Sequence, residues 1–313
     1  MSGLALLALI SDMLVRATPL IFTGLAVAVA FQAGVLNIGA EGQFLVGAAM
    51  ATTVSLQLAP ALGFTVIPIA LLAGSAAGAL WAWIAAELRT RFHVLEVIST
   101  IMLNFVAVYL ISFLVRGPLQ EPSHVYPQTS SIISSARLPL ILPETRLHIG
   151  FLIAVAAGVT GWWLLRNTAG GFRLRLTGAN PSAAFSAGLI DTERTARNAF
   201  LISGALAGLA GSVEVHGVTF ALYENLSPGY GYTAIAVALL AGLNPLGVII
   251  TGILFGALET GASALQRDAG IPATLVSVIE ALIILAVLAA EPLRARGLLR
   301  RDVTSVVQAA EPG

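Results

Sequence analysis

Residues 214–224 bring together four side chains that can exchange protons or bind cations. They are two carboxylates, an imidazole and a phenol: Glu214, His216, Tyr223 and Glu224. Such groups could form a metal site or an acid–base pair, but their spacing matches no zinc pattern such as H-E-x-x-H. We therefore expect no metal site here, and we interpret the four residues as part of a surface or a lateral gate at the end of a helix.

A second polar set follows the helical period. Glu96, Thr100 and Asn104 recur at i, i+4 and i+8, so they share one face of a helix. Because the rest of this helix is apolar, the polar stripe is expected to face the protein interior. There it either lines a polar path through the protein or hydrogen-bonds a neighbouring helix.

The sequence NIGAEGQF at 37–44 places a third polar set between two apolar segments: Asn37, Glu41 and Gln43. A carboxylate in such surroundings usually faces a cavity or a partner, because its desolvation is costly. An interfacial loop is the alternative. Gly39 and Gly42 predict a tight, non-helical turn at this point.

The segments around these polar sets are hydrophobic enough to need lipid as their solvent. Of the 313 residues, 57% are hydrophobic and 10% are charged, with a mean hydropathy of +0.90. Soluble domains carry about 25% charged residues. The chain is therefore predicted to be an all-α polytopic membrane protein, with residues 1–313 forming a single transmembrane domain. Its net charge of zero gives no indication of a nucleic-acid partner.

Two residue types are missing from the chain, and their absence excludes several activities. There is no Cys, and all sixteen basic residues are Arg. Disulfides, thiolate catalysis and cysteine metal sites are thereby excluded. Without Lys, the chain can be neither a P-loop ATPase nor a Schiff-base enzyme. The missing Cys and Lys therefore narrow the range of enzymatic chemistry open to the chain.

Eight apolar segments approach the ~20 residues that a spanning helix needs. They lie at 19–34, 43–59, 64–86, 94–115, 148–165, 198–218, 246–264 and 274–290. A ninth run at 232–243 is shorter and ends in AGLNPLG, which predicts a half-helix or re-entrant segment. Close helix crossings are predicted by three glycine pairs: Gly74/Gly78, Gly204/Gly208 and Gly252/Gly256.

The distribution of arginine predicts the orientation in the membrane. With the C-terminal tail 291–313 in the cytoplasm, eleven of the sixteen arginines lie inside. The Pro-rich segment 116–147 is then an extracytoplasmic loop, and the segment 166–197 is a cytoplasmic loop. The first residues, MSGLALLALISDMLVRA, are too few and too charged to span alone, and they fit no signal peptide.

The stretch LTGANPSAAFSAGLID at 176–191 predicts a short helix with its own start and stop signals. Asn180 can cap its first N–H groups, and Pro181 suits the first helical position. Gly188 suits the left-handed residue after the last turn. Most of its side chains are small, so another surface can approach closely, and Phe185 is its one large side chain. We interpret the helix as a docking element, with a tight connector on the membrane as the alternative.

This stretch resembles the coupling helix of ABC importer permeases in the branched-chain amino acid, ribose and nucleoside superfamily. Three further stretches are similar to nucleoside-type permeases, in the same order: VLNIGAEGQFLVGA (35–48), EVISTIMLNF (96–105) and SPGYGYTAIAVALLAGLNPLG (227–247). The resemblance extends from about residue 19 to about residue 290. Members of that family often have a further spanning helix ahead of the segment PLIFTGLAVAVAF.

The resemblance implies a permease subunit of an importer in the bacterial cell membrane. It also implies that the chain is not an enzyme and binds no cofactor of its own, because ATP and Mg are bound by a separate ATPase subunit. The ATPase-coupling residues would be Gly178, Asn180, Pro181, Ala183, Ala184, Phe185 and Gly188. The three polar sets become candidates for the translocation path (Asn37, Glu41, Gln43, Glu96, Thr100 and Asn104) and for a receptor-facing surface (Glu214, His216, Tyr223 and Glu224).

The same resemblance implies several partners. They are a second homologous permease, as a heterodimer or a homodimer, an extracytoplasmic substrate-binding protein and a small-molecule substrate. Nucleosides are the first expectation for the substrate, simple sugars such as ribose the second, and branched-chain amino acids the third.

Other functions fit individual motifs less well. GYG at 229–231 lacks the Thr-Val that precedes a potassium filter, so it is interpreted as a Gly-rich entry to the half-helix. GASA at 261–264 resembles the Gly-x-Ser of intramembrane serine proteases, but no His follows Ser263. An ion-coupled carrier could use Glu259 and Glu280, for which the sequence reveals no basic partner.

Overall fold

The computed structural model describes residues 3–186 and 191–269, together with 278, 281–282 and 285–286. Residues up to Thr260 belong to one compact unit, and Gly261 begins a second. The described helices are α1 Gly3–Gln32, α2 Ala40–Leu62, α3 Val66–Phe92, α4 Glu96–Arg116, α5 Gly150–Asn167, α6 Ala169–Ala179, α7 Pro181–Ser186, α8 Thr192–Glu214, α9 Tyr230–Leu240 and α10 Pro245–Ala269. Apart from two isolated bridges, these residues form no β-structure. The all-α prediction is confirmed.

Five stretches of the described residues are long and apolar enough to cross a membrane: Leu6–Gln32, Ala40–Phe92, Glu96–Arg116, Thr192–Thr219 and Pro245–Arg267. The second contains both α2 and α3, which fold back on each other through the 3₁₀ turn Gly63–Thr65. The predicted segment 148–165 corresponds to the 18-residue helix α5. The count of eight to nine segments stays a prediction, because 274–290 lies largely, and the tail 291–313 entirely, outside the described residues.

The start of α1 corrects the predicted first span. The helix begins at Gly3 and continues through Pro19 to Gln32, so the first residues belong to the same helix as the span. Arg16 had made these residues look too charged to span, but it forms an ion pair with Glu259 of α10 at 3.8 Å. The same pair supplies the basic partner of Glu259 that the sequence did not reveal.

The centre of the unit is formed by α1 and α8. In their apolar windows 83% and 72% of the residues are buried, against 22–33% in the other spans. The close crossing of α8 with α3 and α2 depends on glycine: a Cβ on Gly208 would meet the backbone of Gly74 and Gly78, and one on Gly47 would meet the backbone of Gly208. The predicted close approach of these helices is therefore found, and Gly256 packs on the backbone of α1 in the same way.

The predicted short segment is the helix α9. Its 11 residues extend about 16 Å, roughly half of a ~30 Å hydrocarbon core. Gly229 precedes it with φ +105°, a conformation that glycine adopts without strain. Beyond its far end, Leu243 accepts a hydrogen bond from the Gln32 side chain at the end of α1. The GYG motif is thus the entry to a half-helix, as the sequence predicts.

Candidate functional site

The short helices α6 and α7 lie between α5 and α8, where the sequence predicts a single capped helix. Asn180 accepts a hydrogen bond from the Ala183 N–H at 2.9 Å, so its predicted capping role is confirmed. Pro181 is the first residue of α7, which ends at Ser186. The sequence analysis missed α6, an 11-residue helix that Thr168 caps through the Gly171 N–H at 3.1 Å. Gly188 lies outside the described residues.

The two faces of α7 differ in exposure. Ala184 is fully buried and attaches the helix to the protein, whereas Ala183 is exposed. The Phe185 ring is 71% exposed, so it does not pack in the interior of the protein. Ala183 and Phe185 are therefore part of the exposed surface of α7. We call the end of the helices at which α7 lies the α7 end.

Backbone contact fixes the position of α6 and α7 relative to α1. Gly178 lies against the backbone of Gln32 and Gly34, and a Cβ at this residue would overlap the Gln32 carbonyl. Gly34 itself has φ +74°, which allows the chain to turn there. Gly178 therefore acts as a spacer between α6 and the end of α1. A force on α7 would reach the central helix through this contact.

The set Asn37, Glu41 and Gln43 lies at the start of α2. Asn37 donates to Ser203 of α8 at 2.8 Å, and its amide exchanges two hydrogen bonds of 3.0 Å with the amide of Gln43. The predicted non-helical turn ends earlier than expected, since α2 begins at Ala40 and Gly42 is helical. Glycine is required at position 42, because a Cβ on Gly42 would meet Asn104 of α4.

The polar stripe of α4 faces inwards as predicted. Asn104 accepts from the Gly42 N–H at 2.8 Å and donates to the Ile38 carbonyl at 2.9 Å, so it connects α4 to both sides of the turn before α2. Thr100 is buried and hydrogen-bonds within its own helix. Glu96 forms an ion pair with Arg89 of α3 at 3.5 Å. These partners give the stripe a structural role, and its place in a path stays a prediction.

Glu41 lies where α2 and α9 meet. Its carboxylate accepts from the Gly231 N–H at 2.7 Å, in the first turn of α9, and Ser227 is a second hydrogen-bond partner. Two helix N-termini therefore face the same carboxylate, which their partial positive charges stabilise. Gly231 permits the contact, because a Cβ there would overlap the Glu41 backbone.

A cavity of about 240 Å³ connects two of the predicted sites. Glu41, from the candidate path, and Glu224, from the candidate receptor-facing set, both line it, with Tyr109 and Ser112 of α4 between them. The sequence separates the two carboxylates by more than 180 residues and gives no sign that they meet. Glu224 is in an ion pair with Arg116, whereas Glu41 accepts hydrogen bonds from the Gly231 N–H and Ser227.

Glu224 is held by two residues of α4. Arg116 donates two hydrogen bonds to its two oxygens, at 2.6 and 2.8 Å, and the Ser112 hydroxyl donates a third. These contacts lower the pKa of Glu224 to about 2, so its carboxylate remains charged at physiological pH. Tyr223 is half-buried beside it and pairs with Gln128 of the Pro-rich segment. Neither α4 partner was predicted from the sequence.

Glu214 and His216 are buried, which corrects their predicted place on a receptor-facing surface. His216 belongs to the π turn Val215–Thr219, and its ring lies between the Ser55 hydroxyl at 2.6 Å and the Ser212 carbonyl at 2.7 Å. The Leu138 N–H of the Pro-rich segment donates a hydrogen bond to the His216 carbonyl. Glu214 is the last residue of α8 and is buried there, whereas His216 is buried in the π turn. Among the described residues, no group of three or more His, Asp or Glu is arranged to hold a metal ion.

Comparison with known proteins agrees with the motifs. Residues 9–288 match the family described as branched-chain amino acid transport system / permease component. The glucose ABC transporter permease TsgB13 of Haloferax volcanii is 38% identical over 90% of this chain and 76% of the relative. The guanosine ABC transporter permease NupP of Bacillus subtilis is 38% identical over 88% and 80%, and the nucleoside permease NupB of Lactococcus lactis is 34% identical over 85% and 75%. No solved structure matches the chain. The chain therefore belongs to this permease family, and it is an ABC transporter permease.

Proposed function

We propose that this chain is the permease subunit of an ABC importer that carries nucleosides across a bacterial cell membrane. The observation that supports this cargo is its similarity to NupP and NupB, which transport guanosine and nucleosides by name. TsgB13, a glucose permease, is as similar as NupP, so simple sugars are the second candidate. Branched-chain amino acids, which the family description names, are the third.

The cavity between Glu41 and Glu224 is the proposed entrance to the translocation path. Of its two carboxylates, Glu224 is neutralised by the ion pair with Arg116, and Glu41 is held by the Gly231 N–H. The hydroxyl group of Tyr109 and the amide group of Asn225 also belong to residues that line the cavity, and they could bond a passing molecule. Such a lining suits a neutral cargo with several hydroxyl groups, which nucleosides and sugars both carry.

The helix α7 is the proposed coupling helix. It would insert Phe185 into a separate ATPase subunit, which binds ATP and Mg and hydrolyses the nucleotide. Closure of the ATPase would move α7 and, through the contact of Gly178 with the end of α1, tilt the central helix. The α7 end is then cytoplasmic, with the loop 166–197 and the tail 291–313, and the Pro-rich segment 116–147 is extracytoplasmic.

The remaining partners follow from this assignment. A second homologous permease would complete the path, as a heterodimer, and eight to nine segments of this chain would cross or enter the membrane. An extracytoplasmic substrate-binding protein would deliver the cargo to the surface near Tyr223 and Glu224. Selection by that protein would explain why the cavity carries few specific contacts.

The cargo is tested by uptake of labelled guanosine, uridine, glucose, ribose and leucine in cells with and without the gene. We expect loss of nucleoside uptake alone. Loss of glucose or ribose uptake would transfer the proposal to sugars, and loss of leucine uptake would transfer it to amino acids. Complementation with the wild-type gene is the control for each loss.

The coupling role is tested with the substitution Phe185→Asp in the complete transporter. ATP-driven uptake should fall by at least ten-fold, because a charge replaces the apolar anchor, while the permease still folds. Phe64→Asp is the matched control, since Phe64 is 74% exposed in the turn between α2 and α3, at the opposite end from α7. Equal uptake by the two variants would contradict the assignment of α7.

A further inference from the structure

A long groove lies on the surface of the protein between α5 and α8. Its volume is about 910 Å³, which is large for a surface cavity. Val29 of α1, Leu165 and Ala199 form its apolar floor, and Leu164 and Ile202 form its partly exposed walls. Apolar side chains with this exposure are stable in lipid and unfavourable in water.

The groove extends along most of α5. Its lining begins at Ile153 and continues to Thr168, fifteen residues or about 22 Å of helix. One leaflet of a bilayer contributes about 15 Å of hydrocarbon. The groove is therefore deep enough to hold the acyl chain of a lipid from the leaflet at the α7 end.

The mouth of the groove at the α7 end is cationic and polar. Arg173 of α6 and Arg194 of α8 line it, together with the hydroxyl groups of Thr168 and Thr195. Arg194 contacts Asp191 at 3.0 Å, whereas Arg173 has no ion pair with a carboxylate of the described residues. The mouth therefore retains a net positive charge, and the first turn of α6, at Gly170, adds its partial positive charge.

We propose that this groove is a binding site for an anionic phospholipid of the leaflet at the α7 end. Its acyl chain would lie on Val29 and Leu165 between α5 and α8, and its phosphate would contact Arg173 and Arg194. A deep apolar groove without the arginines would bind any lipid, and the two arginines without the groove would bind any anion. The combination on one continuous surface selects a lipid with an anionic head group.

The position of the groove connects the lipid to the coupling region. Arg173 belongs to α6, the helix that joins α5 to α7, and Arg194 belongs to the first turn of α8. A bound phosphate would therefore hold α6 against α8. Anionic lipid is expected to order the segment on which the proposed coupling helix lies, whichever molecule the transporter carries.

The site is tested by native mass spectrometry of the complete, delipidated transporter, titrated with phosphatidylglycerol or with phosphatidylcholine of the same acyl chains. Phosphatidylglycerol should bind at least five-fold more tightly. Arg173→Ala and Arg194→Ala should each weaken it about five-fold, the effect of one arginine near an anionic lipid surface. Arg175→Ala is the control, because Arg175 is exposed on the same helix but does not line the groove.

The apolar part of the site has its own variant. Ala157→Phe should fill the groove and abolish binding of the lipid, while Val159→Phe, on the same helix outside the groove, should not. Equal binding of the two lipids, equal effects of Arg173→Ala and Arg175→Ala, or unchanged binding in Ala157→Phe would each overturn the proposal. So would a photo-crosslinker at Ile202 that attaches to a protein chain instead of lipid.

Discussion

Small residues serve opposite purposes in two regions of the molecule. At the crossing of α2, α3 and α8, glycine brings backbone against backbone, so that no space for a Cβ remains at Gly78 or Gly208. In α7 the small residue Ala183 is exposed, and Phe185 projects from the helix with no neighbour that buries it. The crossing is closed by residues of this chain, whereas α7 leaves these side chains exposed.

The polar groups of the two regions differ in the same way. In the interior, Asn37, Gln43 and Asn104 bond one another, Ser203 and the backbone, as buried polar groups must. At the α7 end, Arg173 and Arg175 are exposed. The contrast separates residues that maintain the fold from residues available to a partner, and substitutions in the two regions should have different consequences.

The largest expected effect on stability belongs to the glycine crossing. Gly208→Ala places a Cβ against the backbone of α3, which cannot yield as a flexible side chain would, and should cost about 3 kcal/mol. Gly261→Ala is the control, since a Cβ there meets nothing and helix propensity should add up to about 1 kcal/mol. Thermal unfolding in detergent measures the stability of both variants. If Gly208→Ala is as stable as the wild type, the close crossing does not need glycine and the contrast with α7 is lost.

A smaller loss of stability is expected in the polar interior. Asn37→Ala leaves Gln43 and Ser203 without their partner and should destabilise the protein by about 2 kcal/mol. Ser203→Ala should cost less, because Asn37 still bonds Gln43. The double substitution should cost less than the sum of the two, since the residues share one network. Additive effects in the same unfolding measurement would show that the network is not coupled.

The smallest effect on stability is expected at α7. Asn180→Ala removes one N-cap bond and should cost about 1 kcal/mol of local helix stability, with little change in the unfolding temperature of the whole protein. Its effect on transport should be larger than its effect on stability. Asn180→Ser, which keeps a capping oxygen, should retain transport. Uptake assays and thermal unfolding of the same variants compare the loss of transport with the loss of stability.

The sequence predicts those features that local signals encode. The Asn-Pro pair at 180–181 predicts α7, and Pro228–Gly229 before an apolar run of half the usual length predicts α9. The stripe of Thr100 and Asn104 follows from helical spacing alone. Each of these depends on residues within a few turns of one another.

The features that the sequence does not predict depend on contacts between distant residues. Arg16 interrupts an apolar run, and its ion pair with Glu259 of α10, distant in the sequence, helps to explain why a helix tolerates it there. α6 contains Gly170, Gly171 and two arginines, so neither propensity nor hydropathy indicates a helix. Neither the burial of Glu214 at the end of α8 nor the π turn that contains His216 has a sequence signal.

The central claim is that α7 is the contact to the ATPase, and crosslinking tests it most directly. The chain has no Cys, so Phe185→Cys introduces a single thiol in a native background. In the assembled transporter, a short bifunctional reagent should join this thiol to the ATPase subunit, with a yield that changes when ATP is bound. Phe64→Cys should give no such product. If the Phe185→Cys transporter still carries its cargo but forms no crosslink to the ATPase subunit, the account is contradicted.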